Sequence, residues 1–113
     1  MTKIDINLKL FLQREDIKKL IKEYNFKAVY DQLNRNPWLT ESRFTEMLLD
    51  LGCDPLNYMR AVPDYFLYNS SIKEFIIPSN INSIGNNAFN FCRNLELITP
   101  SNNIDSIGQY YRY

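Results

Sequence analysis

The feature that most constrains the fold is a passage that occurs nearly twice in the second half of the chain. Residues 77–85 read I-P-S-N-I-N-S-I-G, and residues 99–108 read T-P-S-N-N-I-D-S-I-G. Ile84 and Ile107 are 23 residues apart, as are Gly85 and Gly108. A unit of this length cannot bury its own apolar face and needs a stacked neighbour. The repeat therefore predicts a stack of short strands and turns.

Residue types within the repeat indicate what each position does. Phe75 and Ile77 alternate with neighbours of the other face and predict a strand, which Pro78 ends because proline cannot donate to a ladder. Gly85 and Gly108 mark a turn where either a side chain would obstruct a neighbour or φ is positive. The interior apolar positions are predicted to be Ile81, Ile84, Ala88, Phe89 and Cys92.

A degenerate copy of part of the repeat precedes these two. Residues 61–71 align with residues 84–94, so that Phe66 corresponds to Phe89 and Tyr68 to Phe91, again 23 residues apart. The chain is therefore expected to hold the back half of one repeat, one whole repeat and the front half of another.

These residues resemble a known family. The passage is similar to the treponemal, BspA-type leucine-rich repeat, whose pattern is roughly I-P-x-x-[VI]-x-x-I-G-x-x-A-F-x-x-C-x-x-L. The matching residues are Pro78, Ile81, Ile84, Gly85, Ala88, Phe89, Cys92 and Leu95. Over residues 61–113, the resemblance implies a strand-and-turn solenoid that serves as a protein-binding or adhesive surface and carries no enzymatic residues.

The first 60 residues predict a short strand followed by helices. Residues 3–8 alternate apolar and polar side chains, which is typical of a half-buried strand. Apolar residues then recur at helical spacing, which places them on one face of a helix to be buried. The three predicted helices cover residues 17–24, 26–33 and 44–51.

Local signals predict where these helices begin and end. Asn25 is expected to take a left-handed conformation that separates the first two helices. Thr40 is the expected N-cap of the third helix, and Gly52 the residue just beyond its end. Asp54 followed by Pro55 predicts the start of a short fourth helix that runs to about residue 60.

Together these signals predict an α+β protein, in which a small bundle of three or four helices caps a very short leucine-rich-repeat β-solenoid. Residues 1–60 form the helical region and residues 61–113 the truncated repeats. Fewer than about three repeats are not expected to be stable alone. We therefore expect the helices to cover Tyr65, Phe66 and Phe75, and expect residues 61–113 not to fold alone.

Composition narrows the functional classes. Thirteen basic and thirteen acidic side chains cancel, which gives no electrostatic support for binding nucleic acid or a membrane surface. Histidine is absent from the sequence, which removes Ser-His and Cys-His catalysis and most transition-metal sites. We therefore predict no enzyme activity and no cofactor. The N-terminus lacks the apolar run of a signal peptide, which favours the cytoplasm of a bacterium or of a phage-infected host.

Two sets of residues are candidate protein-binding surfaces. One is the asparagine-rich set on the repeat turns, represented by Asn82, Asn86 and Asn87, although asparagine also simply suits turns. The other is the C-terminal sequence Tyr110, Tyr111, Arg112 and Tyr113, because tyrosine and arginine dominate interface hot spots. The alternative for this tail is a terminal cap, and a homodimer contact through the C-terminal end of the stack would combine both roles.

Two functions fit these observations. The first is a non-enzymatic protein–protein interaction module built on the short repeat stack. The alternative is a phage or mobile-element inhibitor of a host enzyme such as a defence nuclease, comparable in action to an anti-CRISPR protein. Both require a protein partner, whose identity the sequence does not indicate.

Overall fold

The computed structural model describes residues 3–35, 37–99 and 104–108, and the first half of the chain is helical. Within those ranges the helices are α1 (Lys3–Leu12), α2 (Glu15–Lys22), α3 (Phe26–Leu33), α4 (Pro37–Asp50) and a short 3₁₀ helix (Pro55–Tyr58). The apolar stripes bury side chains on one face of α2, α3 and α4, as their spacing predicted. The exceptions are Tyr24 and Leu51 at the ends of two predicted helices, which lie beyond α2 and α4 and are 54% and 75% exposed. The most deeply buried are Ile17, Phe26, Val29, Tyr30, Leu33, Phe44 and Leu48.

The strand predicted at residues 3–8 is wrong, because this segment belongs to α1. Leu8 is buried, and Phe11 and Leu12, three and four residues later, pack against the same core. Alternating apolar residues also occur at positions i and i+4, so the pattern fits a helix face as well as a strand. The packing of α1 against α4 decides between the two.

The left-handed residue between α2 and α3 is Tyr24 with φ 57°, and the prediction that placed it at Asn25 is wrong. The Asn25 N–H donates to Leu20 O at 2.8 Å and the Tyr24 N–H to Ile21 O at 3.0 Å, the bonding pattern of a Schellman motif. Asn25 instead caps α3, accepting a hydrogen bond from the Ala28 N–H at 3.3 Å.

Helix α4 begins at Pro37, so the prediction of Thr40 as its N-cap is wrong. Proline is tolerated in the first turn, where its missing N–H has no intrahelical partner. The end of the helix is confirmed, since Gly52 has φ 80°. Asp54 is confirmed as the cap of the 3₁₀ helix, because its Oδ1 accepts from the Leu56 N–H at 2.9 Å.

Five short parallel strands follow in the described part of the chain. They are β1 (Ala61–Val62), β2 (Glu74–Ile76), β3 (Ser83–Ile84), β4 (Leu97–Thr99) and β5 (Ser106–Ile107). One sheet has the order β1-β3-β5 and the other pairs β2 with β4. In register, Val62 lies beside Ile84 and Ile84 beside Ile107, while Phe75 lies beside Ile98. Equivalent positions of successive repeats therefore stack directly on one another.

The first repeat is offset by one residue from its predicted alignment. Val62, which is 22 residues before Ile84, is the strand partner of that residue, although the sequence alignment paired Ala61 with it. The same 22-residue step aligns Leu67 with Phe89, because their carbonyls accept equivalent turn bonds from Ser70 N–H and Cys92 N–H. Phe66 therefore corresponds to Ala88, and its predicted equivalence with Phe89 is wrong.

A difference in neighbours explains why phenylalanine occupies the position of a small alanine. Phe66 packs against Tyr30 of α3, with ring centroids 5.8 Å apart, and against Phe89 at 6.3 Å. It is fully buried. The first repeat thus packs against a helix on one side and a repeat on the other, and the larger ring fills the less regular space beside the helix.

The helices and repeats share one continuous apolar core. Of the three aromatic residues predicted to lie beneath the helices, Phe66 contacts Tyr30, and Phe75 packs against Phe66 at 5.8 Å. Tyr65 lies with its ring against Tyr68 at 5.3 Å. A polar contact joins the two parts as well, because Asn80 Nδ2 donates to Leu56 O at 2.8 Å and to Met59 O at 2.7 Å.

The arrangement establishes the α+β class, with helices first and short open parallel sheets after them. A continuous solenoid and the boundary at residue 60 stay predictions. Among the helices of the described ranges, none combines the length and the apolar character needed to cross a bilayer.

Candidate protein-binding groove

A groove of about 800 Å³ lies between α3 and the β1-β3-β5 sheet. One wall is the face of α3 that carries Lys27, Tyr30, Asp31 and Asn34, spaced at helical intervals. The opposite side is formed by the ends of the three stacked strands. We call this surface the α3 groove.

The floor of the α3 groove is mainly backbone and small side chains. A Cβ atom on Gly85 would lie 2.6 Å from Asp64 N and 2.7 Å from Pro63 C, so no side chain fits there. Gly108 is similarly close to Asn86 N, at 2.6 Å. Of the two reasons proposed for these glycines, the obstruction of a neighbour is confirmed. Glycine at these positions therefore allows successive repeats to stack closely.

Apolar contacts are available at the open side of the α3 groove. Ile84 and Ile107 occupy equivalent register positions, but Ile84 is 3% exposed whereas Ile107 is 53% exposed. Ala61, on the outer face of β1, is also exposed. A ligand in the groove could therefore bury apolar surface without any rearrangement of the core.

The charged groups around the α3 groove cancel, and most are held by the protein itself. Lys27 Nζ pairs with Asp31 Oδ2 at 3.0 Å across one turn of α3. Asp64 Oδ1 accepts a hydrogen bond from the Asn86 N–H at 2.7 Å, which ties the first repeat to the second. Arg60 is exposed and lines the groove. Two cations and two carboxylates thus give a neutral groove.

Stacked aromatic rings extend the α3 groove at one end. Tyr58, which lines the groove, stacks on Tyr24 with ring centroids 4.7 Å apart and an interplanar angle of 14°. Both tyrosines are about half exposed, at 51% and 54%. Phe26 lies 5.7 Å from Tyr58 and fixes the pair to the core. Sequence reasoning missed this pair because residues 24 and 58 come together only through the tertiary fold.

The predicted asparagines occupy three different environments. Asn86 is exposed and lines the α3 groove. Asn87 has φ 57°, and its Oδ1 accepts from Asn90 Nδ2 at 3.0 Å, which is a turn role. Asn82 is exposed beside β3. Its backbone N–H donates to Arg60 O at 2.8 Å, and its carbonyl accepts from the Asp105 N–H at 2.7 Å. Only Asn86 of the three lies at the groove.

The other predicted surface, Tyr110, Tyr111, Arg112 and Tyr113, lies outside the described residues. Its roles as a cap and as an interface therefore stay predictions.

Both cysteines are poor candidates for a nucleophile. Burial raises the pKa of the Cys53 thiol, and the neighbouring Asp54 carboxylate raises that pKa further. Burial also raises the pKa of Cys92, whose Sγ donates to Leu67 O at 3.0 Å. A raised pKa keeps a thiol protonated and weakens it as a nucleophile. In the described part of the chain, no three acidic or cysteine side chains are grouped to hold a metal ion.

Comparison with known proteins identifies the class of the repeats. Residues 56–112 match the family described as BspA type leucine rich repeat region (6 copies). This match covers half of the chain, and the protein belongs to that family. No curated protein and no solved structure matches the chain. The resemblance inferred from the repeat residues is thereby confirmed, and the family favours a protein-interaction role.

Proposed function

We propose that the chain is a non-enzymatic protein–protein interaction module that holds a segment of a protein partner in the α3 groove. In this proposal the strands form a short leucine-rich-repeat solenoid, and the helices cover its first repeat. The observation that carries the proposal is the α3 groove itself, an open cleft of about 800 Å³ formed jointly by helix and repeats.

The make-up of the α3 groove supports binding of a peptide segment. Its volume is within the range of roughly 300–1,000 Å³ that is typical of ligand sites. Exposed Ile107 and Tyr58 offer apolar and aromatic surface at its edges, as anchor residues of interfaces do. The polar residues Asp31, Arg60 and Asn86 form a rim of the kind that surrounds interface cores.

A selection experiment tests this proposal on the full chain. Peptides are selected from a random dodecapeptide library against the wild-type protein and then measured against Ala61→Trp. Ala61 is exposed at the groove, so the indole fills the groove without entering the core. Lys19→Trp, on the exposed surface of α2, is the matched control.

We expect peptides whose binding is lost in Ala61→Trp and kept in Lys19→Trp. The proposal is overturned when every selected peptide binds both variants equally, or when no peptide is selected. The predictions of a phage-encoded inhibitor, a homodimer and a cytoplasmic location stay predictions.

A further inference from the structure

We propose that the protein forms a symmetric dimer through a second groove, which lies between α1 and α4 and receives a second copy of the same chain. This groove has a volume of about 480 Å³, and its lining includes Lys9 and Leu12 of α1 and Arg43, Met47 and Asp50 of α4. We call it the α1–α4 groove. Among the residues that the structure describes, it shares none with the α3 groove, so the inference stands independently of the proposed function.

The α1–α4 groove carries apolar side chains that the core does not fully cover. Leu12 and Met47 are only partly buried. Leu51, directly after α4, also lines the groove and is 75% exposed, more than any other large apolar residue described. Its N–H donates to Met47 O at 3.2 Å, so Leu51 continues the helical spacing of α4. A partner at this groove would therefore remove from water apolar surface that the monomer leaves exposed.

The order of side chains along α4 indicates which partner fits. Arg43, Met47 and Asp50 line the groove at positions i, i+4 and i+7, which places them on one face of the helix. Arg43 precedes Met47 by four residues, Asp50 follows it by three, and both charged residues are exposed. This face therefore has a cation at one end, an apolar residue in the middle and a carboxylate at the other end.

A face with this order is complementary to itself. When two copies of α4 pack antiparallel across a two-fold axis near Met47, each Arg43 lies opposite the Asp50 of the other copy. These two residues are about 10 Å apart along the helix at about 1.5 Å per residue, so one ion pair forms on each side of the axis. Leu51 then packs beside the aliphatic stem of Arg43 of the other copy. A parallel arrangement would instead place like charges opposite each other.

The other charges at this face are compatible with the contact. Arg43 Nη1 donates to Glu46 Oε2 at 3.2 Å within α4. Because a guanidinium has five N–H donors, this pair does not prevent a contact with a second carboxylate. The two cations Lys9 and Arg43 balance the two carboxylates Glu46 and Asp50. Two copies of this face therefore meet without a net charge that would repel them.

The dimer would carry two α3 grooves, because the described residues of the α3 groove take no part in this contact. Each dimer could then hold two partner segments. The homodimer contact predicted at the C-terminal end of the repeat stack would use a different surface, which the experiment below distinguishes from the α1–α4 groove.

Sedimentation equilibrium of the full chain tests the inference by exchanging the two charges. We expect the wild type to dimerise with a dissociation constant below about 100 µM. Arg43→Glu and Asp50→Lys should each weaken dimerisation at least tenfold, because each places like charges opposite each other. The double variant Arg43→Glu/Asp50→Lys should dimerise as the wild type does. An equimolar mixture of the two single variants should also dimerise, since both pairs then join opposite charges.

Lys19→Glu, on the exposed surface of α2, is the matched control and should leave dimerisation unchanged. Thermal melting of each variant by circular dichroism separates a lost contact from lost folding. A wild type that is monomeric at about 100 µM overturns the inference. A dimer that both single variants leave intact overturns it too, because the contact then lies elsewhere, as at the C-terminal end. So does a folded double variant that stays monomeric. None of these results changes the outcome of the peptide selection at the α3 groove, which tests the proposed function separately.

Discussion

Tyr65 and Asn87 lie 22 residues apart and share one backbone conformation, with φ of 58° and 57°. Asn69 and Phe91 form a second such pair, with φ of 58° and 59°. Each repeat therefore needs two left-handed residues in its turn, and in each pair one repeat supplies asparagine and the other an aromatic residue. Asparagine tolerates this conformation more readily than an aromatic residue does.

Alanine usually gives a more stable protein than glycine at the same position, and the left-handed conformation of Asn87 predicts the opposite order of stability there. Asn87→Ala should be less stable than Asn87→Gly by about 1 kcal/mol, because alanine is strained at positive φ and glycine is not. Urea denaturation of both variants measures the difference. At exposed Asn82, alanine should be at least as stable as glycine. If Asn87→Ala were more stable than Asn87→Gly, the turn role of Asn87 would be refuted, and its predicted role in binding would be the alternative.

Substitution by alanine should reduce stability more at Gly85 than at Gly52. Gly85→Ala is expected to destabilise the protein by about 2 kcal/mol or more, because its Cβ would lie 2.6 Å from a backbone atom of Asp64. Gly52 has no neighbour within 4 Å of such a Cβ, so Gly52→Ala should cost only about 1 kcal/mol from its positive φ. Thermal denaturation compares them, and equal losses would contradict the close stacking of the repeats.

Asn80 should act as a polar link between the helical region and the repeats. Asn80→Ala leaves the carbonyls of Leu56 and Met59 without this donor, which should cost about 1–3 kcal/mol. Asn80→Asp should cost more, since it places a carboxylate against two carbonyl oxygens. Asn82→Ala is the matched control, with an expected change within about 0.5 kcal/mol. Equal stability of all three variants would show that the link contributes nothing.

The repeat half of the fold was largely readable from the sequence, because each repeat position has one role. Ile81, Ile84, Ala88, Phe89 and Cys92 are all buried as predicted. The alignment of the first repeat failed at Phe66, since matching phenylalanine to phenylalanine ignored the helix beside it. Because Phe66 packs against a helix instead of another repeat, its position holds a larger residue than the equivalent position of the next repeat. The repeat period of the sequence does not indicate this difference.

The α3 groove was beyond sequence reasoning for a different reason. Asn86 was proposed as a binding residue for its residue type, and it lines the α3 groove. Its binding role stays a prediction. Tyr58 and Asp31 lack any local pattern that marks them. They line the groove only because the tertiary fold brings α3 and the 3₁₀ helix near the strands. The strand predicted at residues 3–8 failed similarly, since tertiary packing chose the helix.

Asp54 should make stability depend on pH. Burial raises the pKa of Asp54, and its hydrogen bond from the Leu56 N–H lowers that pKa by less. The folded state therefore holds the proton more tightly than the unfolded state, so the free energy of unfolding should fall as pH rises from the ordinary value through the raised one. Asp54→Asn keeps the cap and should remove this part of the slope.

Urea denaturation from about pH 3 to about pH 7 measures the slope attributed to Asp54. Asp105→Asn, at an exposed aspartate beside β5, is the matched control. An unchanged slope in Asp54→Asn would mean that partial burial of the Asp54 carboxyl does not raise its pKa enough to affect stability.

The repeats should depend on the helices for their stability. A fragment of residues 61–113 lacks Tyr30, which covers Phe66, and lacks the carbonyls of Leu56 and Met59 that bind Asn80. Phe66 is fully buried in the whole chain, and its exposure alone removes about 1.5–3 kcal/mol of favourable burial. We expect no cooperative thermal transition by circular dichroism. A fragment of residues 54–113 keeps the acceptors of Asn80 but still exposes Phe66, so it should also fail to fold. A cooperative transition in the shorter fragment would show that the repeats fold without the helices, and Phe66 would then need a different neighbour to explain its burial.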